Sequence, residues 1–199
     1  MPQPPVTVTH LLYLHGFRSS PESTKARQLA ARVRERHSQV HWWCPQLPPS
    51  PAAAMQIVMQ RVAQWPAGTT GVIGSSLGGF YATHVAESIG CRAVLLNPAV
   101  HPSRDLAPAV GEQTAWHHPA ERFVFEPAFL DELRSLEHGP IAHPENYFAV
   151  IAKGDEVLDW QEMVGRYPGA RIKLLEGSDH GLTDFKLHID DVFAFFGLG

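Results

Sequence analysis

Cysteine is scarce in this chain, because only Cys44 and Cys91 occur among 199 residues. Two cysteines cannot form the disulfide framework of a small secreted domain, so we expect two buried free thiols. The twelve histidines form no His-Glu-x-x-His motif, and no Cys-x-x-Cys motif occurs. The adjacent His117 and His118 would point in different directions in any regular structure. We therefore expect no catalytic metal.

Long hydrophobic runs are also missing, and none approaches the ~20 residues that cross a bilayer. The N-terminal Met-Pro-Gln-Pro-Pro has neither the basic flank nor the apolar core of a signal peptide. Charge is nearly balanced, with 16 Lys and Arg against 20 Asp and Glu. We therefore expect a cytoplasmic protein without a nucleic-acid or membrane partner. No Gly-x-Gly-x-x-Gly or Walker-type loop occurs, so no cofactor is indicated.

The sequence that is present alternates between strand-like and helix-like stretches. Short apolar runs predict strands over 6–14, 39–44, 69–74, 92–96, 147–152 and 171–175. Amphipathic stretches between and after them predict helices, the first of which begins at a Ser-x-x-Glu capping box formed by Ser19 and Glu22. This alternation indicates an α/β fold with a mostly parallel sheet of about six strands and helices on both faces.

Residues 101–144 interrupt the alternation. The segment has scattered prolines, no strand character and one clear helical piece over 127–138. A long irregular segment inside a compact domain is usually functional or mobile. We predict that residues 1–199 form a single domain and that 101–144 form a short helical lid or cap insertion.

A possible nucleophile lies in Gly74-Ser75-Ser76-Leu77-Gly78, which has the pattern Gly-x-Ser-x-Gly. An apolar run precedes this motif and a helix-like run follows it, as a nucleophile elbow requires. The turn would expose the Ser76 hydroxyl at the N-terminal end of a helix, where developing negative charge is stabilised. A Gly- and Ser-rich turn without chemistry is the alternative for this motif taken alone.

A serine nucleophile also needs a base and a carboxylate that orients the base. In elbow-type folds these follow in the order Ser, Asp or Glu, His. Asp155 directly follows one predicted strand, and His180 lies in a Gly-bounded loop after the next strand. Three other carboxylates compete for the orienting role: Glu156, Asp159, which we expect to cap the next helix, and Asp179, which we expect to stabilise its loop.

Backbone N–H groups should stabilise the oxyanion of the tetrahedral intermediate. One donor is expected from Leu77, directly after the nucleophile. The other is expected from Phe17, in the loop after the first strand, where Gly16 lets the backbone approach closely. We expect His15 to hold this loop rather than to act as a base.

Longer stretches around these residues resemble a known family. His-Gly-Phe-Arg-Ser-Ser-Pro-Glu-Ser-Thr-Lys-Ala at 15–26 and Gly-Ser-Ser-Leu-Gly-Gly-Phe-Tyr-Ala-Thr at 74–83 resemble the small bacterial YqiA/YcfP-like esterases of the α/β-hydrolase superfamily. Asn-Pro-Ala-Val at 97–100, Gly-Asp-Glu-Val-Leu-Asp at 154–159 and Asp-His at 179–180 continue the resemblance. It covers nearly the whole chain and is weakest over 101–144.

The resemblance implies an α/β-hydrolase fold that cleaves carboxylic esters or acyl thioesters. It implies the triad Ser76, Asp155 and His180, with Phe17 and Leu77 as oxyanion donors. We therefore predict a serine esterase acting on a small acyl ester. An acyl thioesterase with the same triad and a non-catalytic binding protein that kept the hydrolase shell are the alternatives. The sequence does not predict the oligomeric state.

Aromatic residues of the insertion suggest where an acyl chain could bind. Trp116, Phe123, Phe125 and Phe129 lie in the segment 101–144 that is predicted to cover the site. They could line an apolar acyl pocket. They could equally pin the segment to the core.

Overall fold

The structure is a computed structural model that describes residues 7–117 and 120–199. The strands are β1 (His10–Leu14), β2 (His41–Trp43), β3 (Thr70–Ser75), β4 (Arg92–Leu96), β5 (Gly111–Thr114), β6 (Arg122–Phe125), β7 (Tyr147–Ala152) and β8 (Arg171–Leu175). The α-helices are α1 (Thr24–Arg36), α2 (Pro51–Val62), α3 (Leu77–Ile89), α4 (Pro102–Asp105), α5 (Ala128–Ser135), α6 (Trp160–Arg166) and α7 (Ile189–Phe195).

Six of these strands form the predicted sheet, in the order β2-β1-β3-β4-β7-β8. Every neighbouring pair in it is parallel. The interior strands β3 and β7 are buried along their whole length, as expected for a parallel sheet that is covered on both faces. The carboxyl ends of all six strands therefore meet at one edge.

Alternating side chains of the strands supply two separate cores. Leu12 and Leu14 of β1 point into a cluster that includes buried residues of α2, α3 and α6. Leu11 and Tyr13 point into a second cluster with buried residues of α1 and α7. The period-2 pattern of a strand thus places helices on both faces of the sheet, as predicted.

The beginning of the first strand and of the first helix differ from the sequence prediction. Strand β1 begins at His10 rather than at residue 6, which lies outside the described residues. The N-cap of α1 is Ser23, whose hydroxyl accepts from the Ala26 N–H at 3.4 Å. The capping box predicted from Ser19 and Glu22 is wrong, because the Ser20 hydroxyl accepts from the Glu22 N–H and closes a turn instead.

The insertion 101–144 contains a β-hairpin as well as helices. Strands β5 and β6 pair antiparallel, and α4 and α5 flank them. The hairpin was not predicted, because β5 is the polar sequence Gly-Glu-Gln-Thr and carries no apolar alternation. Residues 118 and 119, between its strands, lie outside the described residues.

Two further sequence predictions concern the thiols and the membrane. Cys91 is buried and Cys44 is half-buried, and both are free thiols. Cys44 is thus more exposed than we predicted. Within residues 7–117 and 120–199 no helix has the length and apolar character needed to span a bilayer.

Candidate active site

Ser76 sits at a sharp turn between β3 and α3. Its backbone has φ 56° and ψ −123°, a conformation that L-residues adopt only when their surroundings impose it. A Cβ atom on Gly74 would lie 2.0 Å from the carbonyl oxygen of Gly78, and one on Gly78 would lie 2.0 Å from that of Leu14. Both glycines of the Gly-x-Ser-x-Gly motif are therefore required by close contact between the strand, the turn and the helix.

The structure brings Ser76, His180 and Asp155 into one line of contacts. The Nε2 atom of His180 lies 3.0 Å from the Oγ atom of Ser76. The Nδ1 atom of the same ring lies 2.7 Å from Oδ2 of Asp155. The Asp155 side chain has no exposed surface, whereas 21% of the His180 side chain is exposed. A buried carboxylate thus holds the ring whose other nitrogen faces the serine.

The second carboxylate oxygen of Asp155 is also held by hydrogen bonds. Its Oδ1 accepts from the backbone N–H groups of Val157 and Leu158, both at 2.8 Å. These two bonds leave Oδ2 directed at His180. Because Nδ1 of His180 then carries the proton, Nε2 is left as the acceptor that a serine hydroxyl requires.

The competing carboxylates have other partners. Asp159 caps α6 through the Gln161 N–H at 2.8 Å, as predicted. Asp179 accepts from the backbone of Thr183 at 3.0 Å, and Glu156 accepts from the backbone N–H of His180 at 3.0 Å. Glu156 therefore contacts the loop of His180 but not its ring.

Asn97 is a site residue to which the sequence analysis assigned no role. It is completely buried at the end of β4, with φ 43°. Its Oδ1 accepts from the Ala152 N–H at 2.8 Å, and its Nδ2 donates to the carbonyl oxygens of Asp179 and His180 at 3.0 and 3.2 Å. This one carboxamide joins the end of β7 to the loop that carries His180. An Asn-Pro pair directly after a buried strand was the available signal.

The two predicted oxyanion donors border Ser76. Leu77 is the first residue of α3, so its N–H has no partner within the helix. In the described part of the chain neither this N–H nor that of Phe17 has a hydrogen-bond partner. A Cβ atom on Gly16 would lie 3.2 Å from Cβ and 3.7 Å from Oγ of Ser76, so the backbone before Phe17 passes close beside the serine.

His15 holds the loop that contains Phe17. Its Nε2 accepts from the Leu47 N–H at 3.1 Å, so its Nδ1 carries the proton and donates to the Gly16 carbonyl oxygen at 3.0 Å. Burial lowers the pKa of His15 and keeps the ring neutral, although its bond to Gly16 opposes this effect. His15 does not contact Ser76 and has the structural environment we expected.

Two cavities meet at Ser76. Phe17, Ser76, Trp116 and His180 line both of them. The apolar cavity, of about 280 Å³, is otherwise lined mostly by Ala99, Pro102, Leu106, Ala109, Val157 and Leu158. The polar cavity, of about 260 Å³, includes Tyr13, Ser19, Ser23, Thr24, Lys25 and Ser75. A substrate held at Ser76 would thus meet different chemistry on its two sides.

The four aromatic residues proposed for the acyl pocket have different positions. Trp116 is 64% exposed and lines both cavities. Phe123 lines a third cavity, of about 460 Å³, whose lining includes Phe17 and Leu77 but not Ser76. Phe125 has no exposed surface, and its ring lies 5.1 Å from that of Phe17 and 5.5 Å from that of Phe129. For Phe125 the structure contradicts a pocket role, because a fully buried ring cannot contact substrate; it packs the insertion onto the core.

The described residues provide few groups of possible metal ligands. Across residues 7–117 and 120–199, no three His, Cys, Asp or Glu side chains are grouped so that they could hold a metal ion. His84 and His138 do approach each other, with Nδ1 and Nε2 at 2.9 Å. They are a pair without a third ligand of these types.

Comparison with known proteins places the chain in a family. Over residues 10–197 it matches the family described as "Uncharacterised protein family (UPF0227)". The chain belongs to the UPF0227 family. A UPF0227 protein of Yersinia pseudotuberculosis serotype O:1b is 23% identical over 200 residues, which are 95% of this chain and 99% of that protein.

Solved structures show which fold this UPF0227 chain shares. A putative hydrolase from Agrobacterium vitis S4 has a TM-score of 0.74 at 16% identity and covers 96% of this chain and 90% of its own. Est1E from Butyrivibrio proteoclasticus, solved with ferulic acid, has a TM-score of 0.69 at 15% identity. The match covers 98% of this chain and 91% of Est1E. Mouse alpha/beta hydrolase domain-containing protein 10 has a TM-score of 0.68 at 16% identity. The match covers 93% of this chain and 89% of the mouse protein. The chain has the α/β-hydrolase fold, as predicted.

Proposed function

We propose that this UPF0227 protein is a serine hydrolase that cleaves carboxylic esters through an acyl-enzyme. The observation that carries the proposal is the line of contacts from Ser76 Oγ through His180 to the buried Asp155, at 3.0 and 2.7 Å. It is supported by the strained turn at Ser76, which holds the hydroxyl in position for attack.

The reaction begins when Ser76 Oγ attacks the ester carbonyl carbon. His180 Nε2 takes the hydroxyl proton, and Asp155 stabilises the imidazolium that forms. The N–H groups of Phe17 and Leu77 donate to the oxyanion, each contributing ~3 kcal/mol to transition-state stabilisation. The carbon–oxygen bond to the alcohol then breaks, and His180 gives its proton to the departing oxygen.

Water completes the cycle. His180 removes a proton from water, whose oxygen attacks the acyl carbon and displaces Ser76 Oγ. The carboxylic acid leaves and the serine regains its proton from His180. No cofactor is needed for any of these steps.

We further propose that the insertion 101–144 caps the acyl side of the site. Its residues Pro102, Leu106, Ala109 and Trp116 line the apolar cavity together with Leu158 of the loop after β7. An acyl chain would fit this cavity better than the polar one, because burying its apolar surface there is favourable.

The test is hydrolysis of p-nitrophenyl butyrate by wild type and by Ser76→Ala, with covalent labelling by a fluorophosphonate. Removal of the nucleophile should lower kcat by ~10⁴–10⁶-fold and abolish labelling, while the melting temperature stays near that of wild type. Near-wild-type turnover by Ser76→Ala would refute the mechanism. Absence of both labelling and turnover in wild type would favour a binding protein. Matched butyryl esters and thioesters, compared by kcat/KM, separate an esterase from a thioesterase.

A further inference from the structure

Lys25 is a half-buried cation in the wall of the polar cavity, which it shares with Ser76 and His180. Its Nζ atom donates to the carbonyl oxygen of Gly181, directly after His180. In the described part of the chain no carboxylate oxygen lies within 4.0 Å of this ammonium group. Two of its three N–H donors are therefore available to a ligand.

The nearest negative charges are committed to other partners. Asp155 and Asp179 both influence Lys25 electrostatically. Asp155 accepts from His180 and from two backbone N–H groups, and Asp179 accepts from the Thr183 N–H. A partly desolvated ammonium without an ion pair is an uncommon arrangement, since charges removed from water are normally paired.

The rest of the polar cavity also favours an anion. Ser19, Ser23 and Thr24 line it and provide hydroxyl groups that can donate. Thr24 and Lys25 are the first residues of the 13-residue helix α1, whose N-terminal end carries partial positive charge. These groups add to Lys25, which is the one lysine or arginine among the described residues that line this cavity.

The two cavities at Ser76 suggest where each half of an ester binds. We assign the polar cavity to the alcohol, which is the leaving group. The apolar cavity suits the acyl chain, so the alcohol must lie on the other side of the carbonyl carbon. His180, which protonates the departing oxygen, lines both cavities and therefore reaches an alcohol bound in the polar one. At about 260 Å³ the polar cavity is smaller than the pocket of a drug-sized ligand, so the alcohol should be small.

We propose that Lys25 is a specificity-determining residue that selects esters of small alcohols carrying a carboxylate or phosphate group. The proposal rests on the proposed function, because it needs Ser76 to be the nucleophile. The anionic group of the alcohol accepts hydrogen bonds from Lys25 Nζ while the acyl chain occupies the apolar cavity.

The test uses butyryl esters that differ only in the alcohol. One alcohol is glycolate, one is 2-hydroxyethyl phosphate, and the neutral reference is glycolamide, which is nearly the same size as glycolate. The readout is the ratio of kcat/KM for each charged ester to that for the neutral ester, because the intrinsic reactivity of the esters cancels when variants are compared. The variants are Lys25→Met, Lys25→Arg and, as a control, Lys186→Met, which removes an exposed lysine that lines neither cavity.

Lys25→Met should lower the ratio at least about tenfold for one or both charged esters, which corresponds to about 1.4 kcal/mol. Lys25→Arg should restore part of it, and Lys186→Met should leave it unchanged. Which ester responds distinguishes a carboxylate from a phosphate ligand. Equal ratios in wild type and Lys25→Met for both esters would overturn the proposal. If Ser76→Ala still hydrolysed the neutral ester, the proposed function itself would fail, which is a separate result.

Discussion

Arg18 donates two hydrogen bonds to Thr114, from Nε to the carbonyl oxygen at 2.6 Å and from Nη2 to the hydroxyl at 2.9 Å. In return the Trp116 N–H donates to the Arg18 carbonyl oxygen at 2.7 Å. The backbone of Arg18 has φ 61°, a strained value for a residue with a long side chain. These contacts clamp the hairpin of the insertion to the loop in which Phe17 is the proposed oxyanion donor.

Arg18→Ala should lower kcat for p-nitrophenyl butyrate about tenfold. Losing a whole oxyanion donor costs ~10²–10³-fold, and a loosened Phe17 N–H should cost part of that. The measurement is kcat and KM together with the melting temperature. Arg27→Ala, which removes an exposed arginine of α1, is the control. A kcat within twofold of wild type would show that the donor does not depend on the clamp.

Asn97→Ala should lower the free energy of unfolding by about 3 kcal/mol. The substitution leaves the Ala152 N–H and two loop carbonyl oxygens without their partner, and each buried unsatisfied group costs ~1–3 kcal/mol. Because the carbonyl of His180 is one of these groups, kcat should also fall. Urea unfolding and steady-state kinetics measure the two effects.

Asn97→Gly separates the carboxamide from the backbone. Glycine tolerates the φ of 43° whereas alanine does not, so the glycine variant should be about 1 kcal/mol more stable than the alanine variant. Both variants should remain well below wild type in stability and in kcat. Wild-type stability in Asn97→Gly would mean that the three hydrogen bonds contribute nothing.

Gly78→Ala should prevent folding or destabilise the protein by more than about 4 kcal/mol. Its Cβ would lie 2.0 Å from a backbone oxygen of Leu14, and β1 cannot move away without breaking its pairing with β3. Gly68→Ala is the matched control, because a Cβ there meets nothing within 4 Å. Soluble expression and urea unfolding compare them. Equal stability of the two variants would contradict the close packing at the elbow.

The sequence was most informative where one pattern determines one structure. Strands β4, β7 and β8 begin and end at the predicted residues, because each is a short, mainly apolar run. The approach of Ser76, Asp155 and His180 followed from the rule that the carboxyl ends of parallel strands meet at one edge. Their catalytic roles remain predictions until they are tested.

Other features depend on contacts that no local pattern encodes. The hairpin of β5 and β6 is held by the clamp at Arg18 and by Phe125 against Phe17, both contacts between segments about a hundred residues apart. The bridge made by Asn97 likewise joins two distant loops. For Phe125 the sequence left two roles open, because an aromatic residue in an insertion can pack inward or face substrate, and only the buried position of its ring favours packing.

The discrimination proposed for Lys25 should depend on pH. Burial lowers the pKa of Lys25 to about 8, although Asp179 and then Asp155 partly oppose this shift. Tyr13, His117 and His180 also line the cavity. As the pH rises through about 8 the ammonium loses its proton, so the preference for a charged ester over the neutral one should decline in wild type. It should not change in Lys25→Met.

The titration of Lys25 should also affect stability, with a sign opposite to that of a lysine in an ion pair, whose pKa is raised on folding. The folded pKa of Lys25 lies below its unfolded value, so between about pH 8 and 10 the unfolded chain binds more protons. Lys25 should therefore add a positive contribution to the pH slope of the free energy of unfolding in this interval, so the slope should be more positive in wild type and in Lys186→Met than in Lys25→Met. Burial raises the pKa of Cys44 and of Cys91 to about 12, so in this interval the unfolded chain loses thiol protons that the folded protein keeps, which adds the same negative slope to wild type and to both variants. Parallel pH profiles for wild type and Lys25→Met, in urea unfolding and in ester preference alike, would mean that Lys25 is as solvated as a surface lysine.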